Sequence, residues 1–299
     1  MKKVLGIDIG GTKINFGLMN EKGELLKITK KSTKLEREDI LGTIIEGIKE
    51  FKDEKLMAIG ISVAGFIDTE QGKILVSPNI KGFWGFHLKE SLERVINIPV
   101  YVANDANMAA LAEKWIGSAK DYDKFVMLTM GTGLGGAVYD SGTGFLEGST
   151  YQGAELGHII MYPNGRLCGC GQKGCAEKYI AGSSLSINYK ELTGKDLNGP
   201  EIISILHQDD NAKKALKKLY TDLAIYLSTI KNIFDPQAVI IGGGFSETSK
   251  YWLDNVMEEY IKICNRPGDM KIIIGKFLNN AGIIGACRYA FINMDKKDA

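Results

Sequence analysis

Apolar residues in this chain fall either in short unbroken runs or at helical spacing. Val4 to Ile9 is a run of strand length that breaks at Gly10-Gly11, and a second strand is expected from Lys13 to Met19. Glu21-Lys22-Gly23 reads as a turn, with a third strand from Glu24 to Thr29. Between Arg37 and Phe51, Ile40, Leu41, Ile44, Ile45 and Ile48 recur at a helix period. A strand over Leu56–Val63, a helix over Leu88–Ile96, a strand over Pro99–Val102 and a helix over Asp105–Trp115 follow, with Gly117 as the stop.

The same grammar then starts again. Phe125 to Met130 is a buried strand that breaks at Gly131-Thr132-Gly133, and Leu134 to Tyr139 is its partner before the turn Ser141–Gly144. Ile7-Asp8-Ile9-Gly10-Gly11-Thr12 and Leu128-Thr129-Met130-Gly131-Thr132-Gly133 thus form an internal repeat, each opening an α/β segment. Ala212–Phe234 is expected to be a long helix stopping near Asp235-Pro236. Ala238–Ile241 and Lys271–Ile274 read as strands, and Gly282–Phe291 as a closing helix. The expectation is an α/β chain of two similar halves: residues 1–118, joined by a C-terminal helix at about 282–299, and residues 119–281, facing one another across a cleft.

Composition narrows the function classes. The 299 residues are 44% hydrophobic, enough for real cores, and Lys plus Arg (37) against Asp plus Glu (36) leaves a net charge of +1. That balance gives no electrostatic footprint for nucleic acid or an anionic membrane. Lys213, Lys214, Lys217 and Lys218 sit at helical spacing and read as a solvated face. No apolar run reaches the ~18 residues of a membrane span, and Met1-Lys2-Lys3 leads into no signal-peptide core. Five cysteines, three crowded at 168, 170 and 175, make a poor disulfide framework and suit a cytoplasmic setting.

A phosphoryl donor needs backbone N–H groups aimed at several oxygens, and glycines let the main chain come close. Asp8, Gly10, Gly11, Thr12 and Lys13 supply this together with a hydroxyl, a cation and an acid, and Gly131, Thr132 and Gly133 supply it again. Asp8 would suit magnesium held through water. Either loop alone reads as a tight hairpin; the matched pair favours phosphate binding. Neither is a Walker-type loop. Gly242-Gly243-Gly244 follows a strand and leads toward a helix, where a nucleoside or α-phosphate could be bracketed.

Asn104-Asp105 ends a strand and begins a helix, where ligands gather in open α/β sheets. Asp105 can accept a proton from an attacking hydroxyl; it can equally be an ordinary helix N-cap. Three thiols, Cys168, Cys170 and Cys175, with His158 make a closed tetrahedral zinc set, structural because no position stays open; free thiols or a redox pair are the alternatives. Such a metal would lock the loop carrying Glu155, His158 and Glu177.

These motifs together resemble the ROK family (repressors, open reading frames and kinases) of the actin-like sugar kinase superfamily. The resemblance covers Asp8–Lys13, Ser77-Pro78-Asn79, Asn104-Asp105, Gly131–Gly136, Gly153–His158, Cys168–Glu177 and Gly242–Gly244. It implies two ribonuclease-H-like domains with ATP and a hexose meeting in the cleft. It further implies Asp105 as catalytic base, Asn79, Asn104, Glu155, His158 and Glu177 on sugar hydroxyls, and zinc on His158, Cys168, Cys170 and Cys175. The resulting expectation is an ATP- and magnesium-dependent glucokinase acting at the C6 hydroxyl, dimeric or tetrameric. The alternatives are kinases of N-acetylmannosamine, mannose or fructose, or a non-catalytic sugar sensor. With its first strand at Val4, the chain is expected to lack the DNA-binding domain carried by regulators of this family.

Overall fold

The computed structural model describes every residue except Leu35, Pro78, Asn79, Lys81, Pro267, Asp269, Asp298 and Ala299. Val4, Leu5, Ile7 and Ile9 are all buried, so the first apolar run is a strand covered on both faces: β1 (Lys3–Ile9). It pairs antiparallel with β2 (Lys13–Asn20), which pairs with β3 (Leu25–Ser32). After α1 (Arg37–Lys49), β4 (Leu56–Val63) lies parallel to β1. The short strands β5 (Phe66–Asp68), β6 (Lys73–Val76) and β7 (Phe86–His87) form a small separate sheet, followed by α2 (Leu88–Ile96). β8 (Val100–Asn104) completes the order β3-β2-β1-β4-β8, and α3 (Asp105–Ile116) follows it.

The second half repeats this order. β9 (Lys124–Met130), β10 (Leu134–Asp140) and β11 (Gly144–Phe145) are antiparallel. Then come α4 (Glu177–Ile180), α5 (Gly182–Thr193), α6 (Gly199–Ser204) and the 25-residue α7 (Asp210–Phe234). β12 (Ala238–Gly242) is parallel to β9, and α8 (Leu253–Ile263) leads to β13 (Lys271–Ile274), giving β11-β10-β9-β12-β13. The chain ends in α9 (Ala281–Lys297). No helix among the described residues is long and apolar enough to cross a membrane.

The chain divides into two compact units. Unit 1 holds Met1–Lys120, Leu146–Gly153 and Asn279–Ala299; unit 2 holds Asp121–Phe145 and Ala154–Leu278. Leu146–Gly153 interrupts the second half of the sequence yet belongs to unit 1, where Thr69 Oγ1 donates to Glu147 Oε2 at 3.1 Å. α9 lies directly on the first sheet because that sheet presents glycines to it. A Cβ on Gly60 would stand 1.8 Å from the Ala286 carbonyl oxygen, and one on Gly6 2.4 Å from that of Ile283. Each unit has its own apolar core, around Ile7, Phe16 and Ile61 in unit 1 and around Leu128, Tyr189, Leu223 and Trp252 in unit 2.

Candidate functional site

In unit 1 the β1–β2 turn closes through Gly10 N–H, which donates to the Lys13 carbonyl at 2.9 Å, and it is tied to the end of β3 by Thr33 Oγ1 donating to the Gly10 carbonyl at 2.7 Å. Gly11, Thr12 and Lys13 are exposed. Gly10 has a turn reason, since a Cβ there would lie 3.1 Å from the Lys13 carbonyl that closes the turn; Gly11 has none, as it holds no positive φ and its Cβ would meet nothing. Gly11 is therefore bare toward the outside, where a ligand can approach the main chain. Asp8 precedes the turn with an enclosed carboxyl. Desolvation raises its pKa, while hydrogen bonds from the Ser62 hydroxyl (2.7 Å) and from Asn15 pull the other way. A carboxyl enclosed like this, with Ser62 and Asn15 on its oxygens, fits a hydrated divalent ion by its donor chemistry.

Unit 2 repeats the device. Gly131 N–H donates to the Gly133 carbonyl at 2.9 Å, neither residue has a positive φ, and a Cβ on Gly131 would again meet nothing. The third glycine cluster differs. Gly243 needs its left-handed φ of 83°, and a Cβ there would fall 2.5 Å from the Met130 carbonyl. That close approach sets the β12 turn beside the end of β9, and Gly244 faces open space. The cluster leads first into a 3₁₀ segment, Gly244–Tyr251, and only then into α8. Gly131, Thr132 and Gly244 line one cavity of about 540 Å³ with Gly182, Ser183 and Ser186 of α5, Asn198, the α6 residues Gly199, Pro200 and Ile203, and Phe245 and Thr248.

Asn104, not Asp105, is the N-cap of α3. Its side-chain oxygen accepts from the N–H groups of Ala106 (2.9 Å) and Asn107 (3.2 Å), and its Nδ2 donates to the Gly65 carbonyl at 2.9 Å. This corrects the reading of Asp105 as a cap: the preceding residue has the extended φ/ψ (−66°, 144°) that a cap needs, leaving Asp105 as the first helical residue. Asp105 is exposed, and its Oδ1 accepts from Ala106 N–H at 2.9 Å. Ser77 Oγ donates to the Ala64 carbonyl at 3.1 Å, so the Ser77 segment and Asn104 converge on one turn, Ala64-Gly65. Asn79 lies outside the described residues.

His158, Cys168, Cys170 and Cys175 come together, with one ligand atom from each within 4.8 Å of all the others. Cys170 Sγ is 3.6 Å from Cys175 Sγ, and Cys168 Sγ is 3.7 Å from His158 Nδ1. Zinc–sulfur bonds of about 2.3 Å in a tetrahedron give edges of about 3.8 Å, so the four atoms fit one zinc ion. Gly171 and Gly174, both at positive φ, fold the loop, and a Cβ on Gly174 would overlap the Tyr162 carbonyl. Nδ1 faces the thiols, so His158 presents Nε2 elsewhere.

Glu155 is exposed at the surface, yet desolvation of its carboxyl by the surrounding chain raises its pKa while His158 lowers it. It is delivered by a strained backbone: Ala154 has φ 57°, and Gly157 sits so close to β10 that a Cβ would lie 2.0 Å from the Leu134 carbonyl. Glu177 links the cysteine loop to the second glycine turn, its Oε2 accepting from Leu134 N–H at 3.2 Å and its Oε1 lying 3.5 Å from Cys168 Sγ.

Sequence reasoning missed the support of this loop. Arg166 donates to Glu191 (2.8 and 2.6 Å), to Asn188 Oδ1 (2.7 Å) and to the Lys178 carbonyl (2.6 Å), and its guanidinium lies over the Tyr179 ring. Tyr162, tilted against Tyr179, donates to the buried Asp222 at 2.6 Å. No local pattern announces contacts across 60 residues. The α5–α6 wall of the cavity was also missed, although Asn198-Gly-Pro-Glu201 is a capping box legible in the chain.

The comparisons agree with this architecture. The ROK family model matches residues 4–291. A glucokinase from Thermotoga maritima is 33% identical, covering 95% of this chain and 96% of the relative. An N-acetyl-D-glucosamine kinase from Photobacterium profundum is 32% identical, covering 97% and 99%. The structure of a ROK family glucokinase from Streptomyces griseus in complex with glucose and AMPPNP superposes with a TM-score of 0.85 at 30% identity, covering 97% of this chain and 99% of that one. On a family match spanning nearly its whole length, with the paired glycine turns and the Cys/His cluster in place, this chain belongs to the ROK family.

Proposed function

We propose that this chain is a sugar kinase that transfers the γ-phosphate of ATP to the C6 hydroxyl of glucose. Sugar phosphorylation is the broader part of the reading, supported by full-length similarity to ROK relatives named as sugar kinases. The observation that carries the ATP part is the pair of bare glycines, Gly11 and Gly131, at matching turns of two sheets with the same strand order. Internal packing gives no reason for either glycine; phosphate oxygens approaching the backbone do.

In this reading Gly10, Gly11, Thr12 and Lys13 from unit 1 and Gly131, Thr132 and Gly133 from unit 2 hold the phosphates, with Gly243 and Gly244 toward the nucleoside. Asp105 accepts the proton of the attacking hydroxyl as O6 bonds to the γ-phosphorus and the bridging oxygen leaves with ADP. Its exposed place in the first turn of α3, held by the Asn104 cap, suits a group that must meet substrate. Asn79, Asn104, Glu155, His158 through Nε2, and Glu177 are assigned to sugar hydroxyls. Asp8 would hold magnesium through water, and that ion would neutralise developing phosphate charge. Zinc on His158, Cys168, Cys170 and Cys175 would be structural, fixing the loop that carries His158 and Glu177.

A hexose panel with ATP and magnesium, scored as kcat/KM, tests the assignment. Glucose should lead. N-acetyl-D-glucosamine belongs in the panel because a kinase of that sugar is 32% identical to this chain. Preference for another sugar would retain the kinase and replace the substrate; no turnover on any sugar would overturn the kinase.

A further inference from the structure

Three strand ends meet at one turn in unit 1, and Ser77 and Trp84, neither assigned to a ligand above, tie them together. Ala64-Gly65 follows β4, Ser77 follows β6 and Asn104 ends β8. Gly65 has φ 128°, and a Cβ there would stand 2.1 Å from the Val76 carbonyl oxygen and 3.0 Å from Ser77 Cα. The turn therefore lies against the main chain of the Ser77 segment, as only glycine allows. Ser77, 2% exposed, donates its hydroxyl to the Ala64 carbonyl at 3.1 Å, and Asn104 Nδ2 donates to the Gly65 carbonyl at 2.9 Å. The same Asn104 side chain accepts from the N–H groups of Ala106 and Asn107 in the first turn of α3, which carries Asp105. A hydrogen-bonded line thus runs from Ser77 through Ala64-Gly65 and Asn104 to the start of α3.

Trp84 closes the outer end of this line. Its Nε1 donates to the Ser77 carbonyl at 2.9 Å, although the residue is 68% exposed. Burial does not fix this indole; its neighbours fix its backbone. Phe83 is buried and stacks on Phe86 at 5.5 Å and 20°, and Phe86 N–H donates to the Phe83 carbonyl at 3.2 Å. Gly85 N–H donates to the Leu75 carbonyl at 3.3 Å. The indole N–H is therefore a set point against which the Ser77 carbonyl is held.

We infer that Ser77 and Trp84 are positioning residues of the sugar site. Ser77 couples the segment leading to Asn79 to the helix start that presents Asp105, and Trp84 holds Ser77 from outside. The assignment rests on the sugar-kinase reading above, in which Asn79 binds the sugar and Asp105 takes the hydroxyl proton. Ser77→Ala should lower kcat and raise the KM for glucose, each by about threefold or more, with the KM for ATP within about twofold of wild type. Loss of folded protein alone would lower kcat and leave both KM values, and that outcome overturns the inference. Asn104→Ala frees the same turn from the other side. In a double-mutant cycle the kcat losses should overlap, the double variant losing less than the product of the single losses by about threefold or more; a smaller shortfall overturns the inference.

Trp84→Phe keeps an aromatic ring and removes the N–H. At so exposed a position its melting temperature should stay within about 1 °C of wild type, yet the glucose KM should rise by about threefold or more; a smaller rise overturns the inference. Amide exchange in ligand-free protein supplies a readout without turnover. Ser77→Ala should speed exchange at Ala106 and Asn107 by about fivefold or more while the α1 amides keep their wild-type rates. Trp84→Phe should speed the same two amides and carries this test if Ser77→Ala does not fold. A chain that phosphorylates no sugar defeats the proposed function, whereas wild-type exchange at Ala106 and Asn107 defeats the coupling through Ala64-Gly65.

Discussion

Ser62 Oγ donates a 2.7 Å hydrogen bond to Asp8 Oδ1, and the two residues are register partners on the parallel strands β1 and β4. On the other side, a Cβ on Gly282 of α9 would stand 2.5 Å from the same oxygen. The carboxyl is thus enclosed by a strand and a helix that the chain supplies 54 and 274 residues later, and desolvation raises its pKa. An acid with a folded pKa above its unfolded value adds stability below the unfolded pKa and loses it as pH rises toward the folded one. Asp8→Asn should therefore raise the melting temperature of ligand-free protein at neutral pH, by about 2–4 °C for each kcal/mol relieved. The gain should shrink toward pH 3, and kcat/KM should fall. Thermal scans across pH check this; a variant that melts below wild type at pH 7 sinks it.

Asp105→Asn should lower kcat by about 10²–10⁴-fold, the usual contribution of a general base, while glucose still binds. Asn104→Ala removes the α3 cap and the tie to Gly65, so it should cost about 1 kcal/mol of stability and lower kcat through displacement of Asp105. Asn104→Asp keeps an acceptor at the cap and should recover the stability. Kinetics beside glucose titration separate these roles, and a near-normal rate for Asp105→Asn removes Asp105 from the chemistry.

Gly11→Ala and Gly131→Ala each add a methyl group where the protein itself has open space. Both should melt within about 1 °C of wild type, as neutral surface changes do, yet raise the KM for ATP by tenfold or more. Gly60→Ala is the contrast, since its methyl would meet the Ala286 carbonyl and should destabilise the sheet–α9 packing without singling out ATP. Loss of stability in Gly11→Ala with an unaltered KM would mean the turn glycine is structural.

Cys170→Ser should lose zinc, measured by elemental analysis at about one ion per chain in wild type, and should lower the melting temperature. Arg166→Ala should loosen the same loop by losing Asn188, Glu191 and the Lys178 carbonyl together, with the zinc content retained. Wild type free of bound metal after purification without chelators would refute the site.

The strands and most helices were legible because their signals are local. The apolar run Val4–Ile9, interrupted only by Asp8, makes a doubly covered strand, and the spacing of Ile40, Ile44 and Ile48 makes a helix face whatever lies elsewhere. The Cys168–Cys175 crowding was legible for the same reason, since three thiols within eight residues lie close together whatever the rest of the chain does. The sheet β5-β6-β7 was missed because its strands are two to four residues long, too short for a period to register. The cap at Asn104 was left open between two neighbours because sequence names the capping residue types but not the φ/ψ that selects between two adjacent ones.

By itself, the amino-acid sequence determined the twofold repeat of strand, glycine turn and strand, the alternation that builds two α/β halves, and the residue types at each turn. Tertiary structure alone decided why those glycines are there: Gly11 and Gly131 leave the backbone bare, whereas Gly6, Gly60 and Gly157 let another element come close. It also decided that Arg166 and Tyr162 brace the cysteine loop and that Ser62 meets Asp8. The reason is physical. Dihedral preference and periodicity act over a few residues and are written in the chain locally, while a contact between distant residues exists only once strand register and helix packing have brought their backbones together.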